Sequence, residues 1–175
     1  TTQMKSDNAS FLEKEMDLDT LQKKVAAWRS EKLTICFTNG CFDILHLGHV
    51  TYLEKAAAQA DIMIVGVNSD RSVRALDKAP NRPINPASAR AKVIASLASV
   101  SAVVVFDEDT PKELISKIVP DVLVKGGDYD PDETDAAHPK YIVGRNTVLK
   151  NGGRIHTVDL VDGFSTTSVI RKLKN

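Results

Sequence analysis

Residues 33–49 read Leu33-Thr34-Ile35-Cys36-Phe37-Thr38-Asn39-Gly40-Cys41-Phe42-Asp43-Ile44-Leu45-His46-Leu47-Gly48-His49. An apolar run, Leu33–Thr38, reads as a strand. A glycine-containing turn follows, and a helical pattern takes over across His49–Ala60. The strand shows no in/out alternation, so it is expected to be covered on both faces, as parallel strands are. Gly40 allows a tight turn and close backbone approach. His46 and His49 are three apart at the start of the helix, which puts both imidazoles on one face. The free amides of a helix N-terminus, two imidazoles and Gly48, which leaves room for a ligand, together suit phosphate groups.

The same alternation continues outward. Further strands are predicted over Ile62–Val67, Val103–Phe106, Val122–Lys125 and Ile155–Val158. Helices are predicted over Ser69–Leu76, Pro86–Ser99, Pro111–Val119 and Tyr141–Lys150, and from Thr166. Val93, Ile94 and Leu97 are expected on one side of the Pro86 helix. Thr110 is read as the N-cap of the Pro111 helix, with Glu113 at the capping-box position. Asn151-Gly152-Gly153 reads as a helix stop. This pattern predicts an α/β fold: an open, parallel, five-stranded, Rossmann-like sheet with helices on both faces. Leu18, Leu21, Val25 and Trp28 recur at helical spacing and predict a preceding N-terminal helix over Asp17–Ser30. Residues 1–16 are expected to be a flexible arm, and 17–175 a single domain.

Composition bounds the function. The chain has 175 residues, 23 Lys plus Arg and 23 Asp plus Glu, so its formal net charge is zero. A dominant nucleic-acid or anionic-membrane role would show a basic surplus, so neither partner is expected. Cys36 and Cys41 are too few and too close for a disulfide framework. No apolar run reaches the roughly 18 residues of a membrane span. A cytoplasmic location is expected. There is no His-Glu-x-x-His, Cys-x-x-Cys, Walker A or Gly-x-Gly-x-x-Gly pattern. Paired histidines also bind zinc, but that needs a third ligand, and no resident metal is expected. The acidic loop Asp130–Asp135 reads as solvated surface and not as a metal site.

Ligands in open α/β sheets bind at the carboxyl ends of the strands, and the segments there are specific. Thr38-Asn39-Gly40-Cys41-Phe42-Asp43 with His46-Leu47-Gly48-His49 resembles the signature of the His-x-Gly-His nucleotidyltransferases. Val65-Gly66-Val67-Asn68-Ser69-Asp70, Val124-Lys125-Gly126-Gly127-Asp128-Tyr129 and Gly163-Phe164-Ser165-Thr166-Thr167 match further motifs in the same order. The Asn-Gly-Cys-Phe-Asp and Lys-Gly-Gly-Asp-Tyr forms resemble the D-glycero-β-D-manno-heptose 1-phosphate adenylyltransferases. The likeness runs over nearly all of Thr34–Leu173. The stretch Asp130–Lys140 is longer than that branch leads one to expect. In many bacteria this activity is fused to a sugar kinase, and 175 residues leave no room for one, so the monofunctional form is expected.

The resemblance implies a nucleotidyltransferase fold and a reaction of ATP with the heptose 1-phosphate, giving ADP-heptose and pyrophosphate for lipopolysaccharide precursors. His46, His49 and Lys125 are expected to be catalytic. Thr38, Asn39, Gly40, Cys41, Phe42, Gly48, Gly126, Phe164, Ser165, Thr166 and Thr167 are expected to bind nucleotide. Asp43, Asn68, Asp70, Arg71, Arg74, Arg82, Gly127 and Asp128 are expected near the sugar phosphate. Lys78 belongs to the same basic stretch, and Asp70 reads equally as a helix N-cap. Mg²⁺ is expected to arrive with ATP. Related enzymes are often dimers, so a homo-oligomer is expected. Glycerol 3-phosphate cytidylyltransferase and a non-catalytic nucleotide-binding module are the competing readings.

Overall fold

The computed structural model describes residues 10–76 and 79–174. Lys78 and most of the expected arm, residues 1–9, lie outside the described residues. The elements in chain order are α1 (Phe11–Lys14), α2 (Leu18–Ser30), β1 (Ile35–Gly40), α3 (Leu47–Ala57), β2 (Ile62–Asn68), α4 (Asp70–Ala75) and α5 (Ala87–Ala95). They continue with β3 (Ala102–Phe106), α6 (Lys112–Ile118), β4 (Val122–Gly126), α7 (Arg145–Lys150), β5 (Arg154–Val158) and α8 (Thr166–Leu173).

The five strands form one parallel sheet in the order β3-β2-β1-β4-β5. Alternate residues of each strand serve opposite faces, and both faces are covered. Cys36, Val65, Val103 and Val124 pack with Leu53 and Ala56 of α3 and Ala91 and Ile94 of α5. Phe37, Ile64, Val104 and Leu123 pack with Leu21 and Val25 of α2, Leu114, Ile115 and Ile118 of α6, and Val148 of α7. This double burial is the reason the strands lack a polar/apolar alternation.

The strand order reverses between β1 and β4. β1 pairs with β2 along its whole length, from Ile35↔Ile62 to Gly40↔Val67. With β4 it pairs only at Cys36↔Val122 and Phe37↔Leu123. Beyond those pairs the two carboxyl ends part, and a crevice opens between them.

Several expected boundaries move. β1 starts two residues later than predicted and runs to Gly40, because Thr34 is drawn off to Asp61, whose carboxylate accepts from its amide and hydroxyl at 2.8 Å each. α3 starts at Leu47 with His46 as N-cap residue. Pro111, not Thr110, is the N-cap residue of α6, and Glu113 pairs with Lys117 at 2.8 Å instead of completing a capping box. Val93 is exposed, while Arg90, Ala91, Ile94 and Ala95 form the buried side of α5. α7 begins only at Arg145, since Gly144 has φ +87° and interrupts the helical pattern. Residues 10–16, read as the end of a flexible arm, are docked. Phe11–Lys14 make a helical turn, the Met16 amide donates to the Val103 carbonyl at 3.0 Å, and Glu15 pairs with Lys92 at 3.0 Å.

The loops above the sheet are tied together by Arg90, whose side chain is fully buried. Its Nη1 donates to the carbonyls of Cys41 (2.7 Å) and Asn68 (2.8 Å), its Nε to that of Asn85 (2.8 Å), and its Nη2 to Asp70 Oδ1 (2.8 Å). One guanidinium thus joins the chain just past β1, the end of β2, the start of α4 and the loop before α5. Arg90→Met should cost about 3–5 kcal/mol, since buried acceptors and a carboxylate lose their partner. Urea unfolding monitored by Trp28 fluorescence measures it. A loss below about 1 kcal/mol would show that the loops hold their places without this residue.

Candidate active site

The crevice holds a cavity of about 560 Å³. Its floor is the turn after β1, with Asn39, Gly40, Cys41, Phe42 and Asp43 on the wall. Phe42 has φ +49°, a strained value for a bulky residue, held by its surroundings. Its ring lies over Gly40, where a Cβ would come within 2.9 Å of it, and meets His49 edge-on with centroids 5.4 Å apart.

His46 and His49 stack with centroids 3.8 Å apart and planes at 22°. The His46 amide donates to His49 Nδ1 at 3.4 Å, which leaves Nε2 of His49 as the donor-bearing nitrogen. Nδ1 of His46 is buried without a hydrogen-bond partner among the described residues, and burial lowers that imidazole's pKa. Gly48 between them is required by packing. A Cβ there would lie 2.8 Å from His46 Cε1 and 2.9 Å from its Nδ1. The glycine lets the first imidazole fold back over the opening turn of α3 and reach the second.

Lys125 stands at the carboxyl end of β4, across the gap from Asn39. Its ammonium donates to Asn39 Oδ1 and lies 5.6 Å from the centroid of the Tyr129 ring. Burial pushes its pKa down to about 8, with the Asp128 carboxylate acting weakly the other way. A buried cation with one neutral partner is a poor arrangement without a ligand and a good one with a polyanion.

Ser165 caps α8, its Oγ accepting from the Ser168 amide at 3.0 Å. The Thr166 hydroxyl donates to the Ile44 carbonyl at 3.2 Å, fastening α8 to the turn after β1. Both line the cavity with Phe164 and Thr167, as do Gly126 at the end of β4 and Asp128 just beyond it.

Asp43 is buried and fully committed. Its carboxylate accepts from Arg82 Nε at 2.7 Å and from the amides of Ile84 and Asn85 at 2.9–3.0 Å. It anchors the proline-rich loop, and through it Arg82, which is itself on the cavity wall. Asn68 is buried at the wall too, its Nδ2 donating to Ser72 Oγ at 2.9 Å.

Five predicted residues lie off the wall. Thr38 is buried inside the sheet and bonds the Tyr52 hydroxyl at 2.7 Å. Asp70 accepts from Arg90 and from the Ala87 amide at 2.9 Å, while Ser69 is the N-cap of α4. Arg71 is turned to Asp107 and Asp109. Arg74 is exposed on α4, and Gly127 packs against Asp159. The acidic stretch uses its own carboxylates in local turns. Asp130 accepts from the Asp132 amide, Glu133 from that of Asp135 and Asp135 from that of Ala137.

Sequence reading missed Tyr52, Leu76, Tyr141, Val143, the Asp109-Thr110-Pro111 segment after β3, and Leu160 and Val161 after β5. The last two groups follow strand carboxyl ends, where the binding rule for open sheets points. Nothing local marks Tyr141 or Val143. They reach the cavity because the loop after β4 folds back over it.

A family model described as cytidylyltransferase-like matches residues 37–172. The chain is 52% identical over 159 residues to the bifunctional protein HldE of Mesorhizobium japonicum, covering 91% of this chain and 30% of that protein. It is 52% identical over 151 residues to the same-named protein of Haemophilus ducreyi, covering 86% of this chain and 30% of that one. The chain therefore spans about a third of the length of these relatives. Among solved structures, the lipopolysaccharide core biosynthesis protein of Thermoplasma volcanium matches with a TM-score of 0.55 and 26% identity, over 74% of this chain and 97% of that one. Pantoate-beta-alanine ligase of Francisella tularensis, at 13% identity and a TM-score of 0.52 over 91% of this chain and 76% of that one, shares the fold.

Lys125 makes binding of a polyanion pH-dependent. Its ammonium is fully present below about pH 8 and lost above it. Triphosphate affinity should be flat up to that pH and then fall by up to tenfold per pH unit, as measured by calorimetry. Lys125→Met should bind weakly with no such bend. The same residue carries a stability cost. Its folded pKa lies below its unfolded value of roughly 10.4, so the cost is fully present below pH 8 and relieved as pH rises between the two. Lys125→Met should therefore raise Tm at pH 7, and an unchanged or lower Tm would count against a costly buried charge.

Proposed function

The chain belongs to the cytidylyltransferase-like family, and from that premise we propose that it transfers AMP from ATP to D-glycero-β-D-manno-heptose 1-phosphate, releasing pyrophosphate. The observation that carries the reading is the convergence of the stacked His46–His49 pair, Lys125 and the N-terminus of α8 on one crevice at the sheet's switch point. The adenylyl step and the sugar are supported by the Asn-Gly-Cys-Phe-Asp and Lys-Gly-Gly-Asp-Tyr motifs, and by the similarity to the HldE proteins over most of this chain. Likeness to the lipopolysaccharide core biosynthesis protein of Thermoplasma volcanium supports a product destined for lipopolysaccharide core.

The nucleophile is a phosphate oxygen of the sugar phosphate, whose second pKa is about 6, so it is ionised at neutral pH. It attacks the α-phosphorus, the bond to the bridging oxygen breaks, and pyrophosphate leaves. No general base and no covalent intermediate are needed. The residues position the reactants and stabilise charge on the leaving group. Nε2 of His49 donates to the triphosphate, and the His46 imidazole beside it does the same. Lys125 gives a cation at the end of β4, and anionic oxygens entering beside it stabilise its charge. The amides at the start of α8 and the Thr167 hydroxyl suit the outer phosphates. Tyr129, Tyr141, Val143 and Leu160 form an apolar and aromatic end suited to a base. Arg82, fixed through Nε by Asp43, is placed for the acceptor's phosphate. Mg²⁺ comes as the magnesium–ATP substrate, held mainly by phosphate oxygens and water. A location in the cytoplasm, where ATP is supplied, and a homo-oligomeric state belong to the same reading.

Pyrophosphate release with the heptose 1-phosphate should occur with Mg-ATP and not with Mg-CTP. Release with CTP and glycerol 3-phosphate would move the chain to the cytidylyltransferases, and nucleotide binding without release would make it a binding module. His46→Ala and His49→Ala should each lower turnover by about 10²-fold or more with the fold intact. Unchanged turnover in both would falsify the leaving-group role.

A further inference from the structure

The wall of the crevice beyond β2 and β3 has a different chemistry from the phosphate end. It consists of Asn68, Leu76, Asp109, Thr110 and Pro111. Asn68 is only 3% exposed. Its amide nitrogen is used by Ser72, and its Oδ1 has no hydrogen-bond partner among the described residues. Asp109 Oδ1 accepts from Arg71 Nη1 at 2.9 Å, which leaves Oδ2 open as an acceptor.

This wall is held in place from α4. Ser72 Oγ donates to the Glu108 carbonyl at 2.8 Å. Arg71 Nε donates to Asp107 Oδ2 at 3.2 Å, and its Nη2 bonds the Asp107 carbonyl. Ser69 Oγ donates to the other Asp107 oxygen at 2.5 Å. Asp109 and Thr110 thus sit on a segment tied to α4 and its N-cap residue by five hydrogen bonds. Arg71 and Ser72 serve this segment rather than the ligand.

On this wall the hydrogen-bond acceptors Asn68 Oδ1 and Asp109 Oδ2 stand beside the apolar surfaces of Leu76 and Pro111. A carboxylate repels a phosphate and accepts from hydroxyl donors. We infer that Asp109, with Asn68 and Thr110, forms a subsite that reads the hydroxyl groups of a polyhydroxylated, uncharged acceptor body, while Leu76 and Pro111 receive its C–H face. The inference rests on the proposed reading in taking the acceptor to be a sugar phosphate, and it identifies the residues that select its sugar part.

The test is calorimetry in the presence of a non-hydrolysable ATP analogue, with D-glycero-β-D-manno-heptose 1-phosphate, mannose 1-phosphate and inorganic phosphate as probes. The wild-type chain should bind a sugar 1-phosphate at least about tenfold more tightly than inorganic phosphate. Asp109→Ala should remove about tenfold of that gain, consistent with loss of a hydrogen bond to a charged acceptor. Asp109→Asn, which keeps an acceptor oxygen, should retain part of it. Inorganic phosphate and the ATP analogue should bind all three proteins alike. In turnover, Asp109→Ala should raise KM for the heptose 1-phosphate and leave KM for ATP unchanged. Equal affinity of wild type for sugar phosphates and inorganic phosphate would overturn the subsite, as would an Asp109→Ala protein with the full gain. Loss of analogue binding in Asp109→Ala would do so too, because the residue would then be supporting the crevice as a whole. A sugar-dependent gain without pyrophosphate release leaves the subsite standing and rejects adenylyl transfer, so the two failures are distinct.

Discussion

The Arg90 guanidinium is the constraint on which the upper half of the molecule depends. Three of its nitrogens serve four acceptors on four separate stretches of chain. Two of those stretches are the end of β2 and the start of α4, and the other two are loops outside the regular elements. The sheet gives only the starting directions of the loops. Their convergence is set by one planar cation whose donors are fixed in a fork. The Asp43–Arg82 pair repeats the device, this time with both side chains buried. Each pair is satisfied by backbone groups as well as by charge, which offsets the cost of removing ions from water.

Below that layer, the opening of the site follows from strand order. β1 and β4 share only two paired positions before they diverge, and Lys125 and Asn39 face each other across the gap. The fold leaves a cation there with a neutral amide as its partner. Burial there lowers its pKa and gives up stability in the ligand-free chain. The His46–His49 stack has a similar character, with the buried Nδ1 of His46 unpartnered among the described residues. Groups held in this way are already desolvated and oriented, so they need little reorganisation when anionic oxygens arrive. The strained Phe42 at the base of the same turn belongs to this pattern.

Much of this was legible in the chain itself. The five apolar runs were strands because double burial demands continuous apolar residues, and their spacing required parallel crossovers. His46, Gly48 and His49 were legible because the chemistry and the packing are both local. The two rings and the glycine that makes space for the first lie within four residues. Lys125 and the Ser165–Thr167 segment could be assigned from their places at a strand end and a helix start. Sequence failed where a side chain's partner is distant. Arg71 and Asp70 looked like ligand contacts, yet their charges are taken up by Asp107, Asp109 and Arg90, which come close only in the folded chain. Thr38 lies in the same motif as the site residues, but strand alternation turns it inward to Tyr52.

The sheet, its parallel sense and the paired-histidine turn of the crevice are written in the chain, because they rest on periodicity and on contacts a few residues apart. Folding in three dimensions selected which charges are free to meet a ligand and which are consumed internally, and it brought Asp109, Thr110, Tyr141 and Val143 to the wall. The difference is one of range. Backbone geometry and helix-start chemistry act over a few residues and leave a mark in the local sequence. Ion pairing and cavity closure act through space between segments tens of residues apart, and any carboxylate on the chain is a possible partner until the fold selects one.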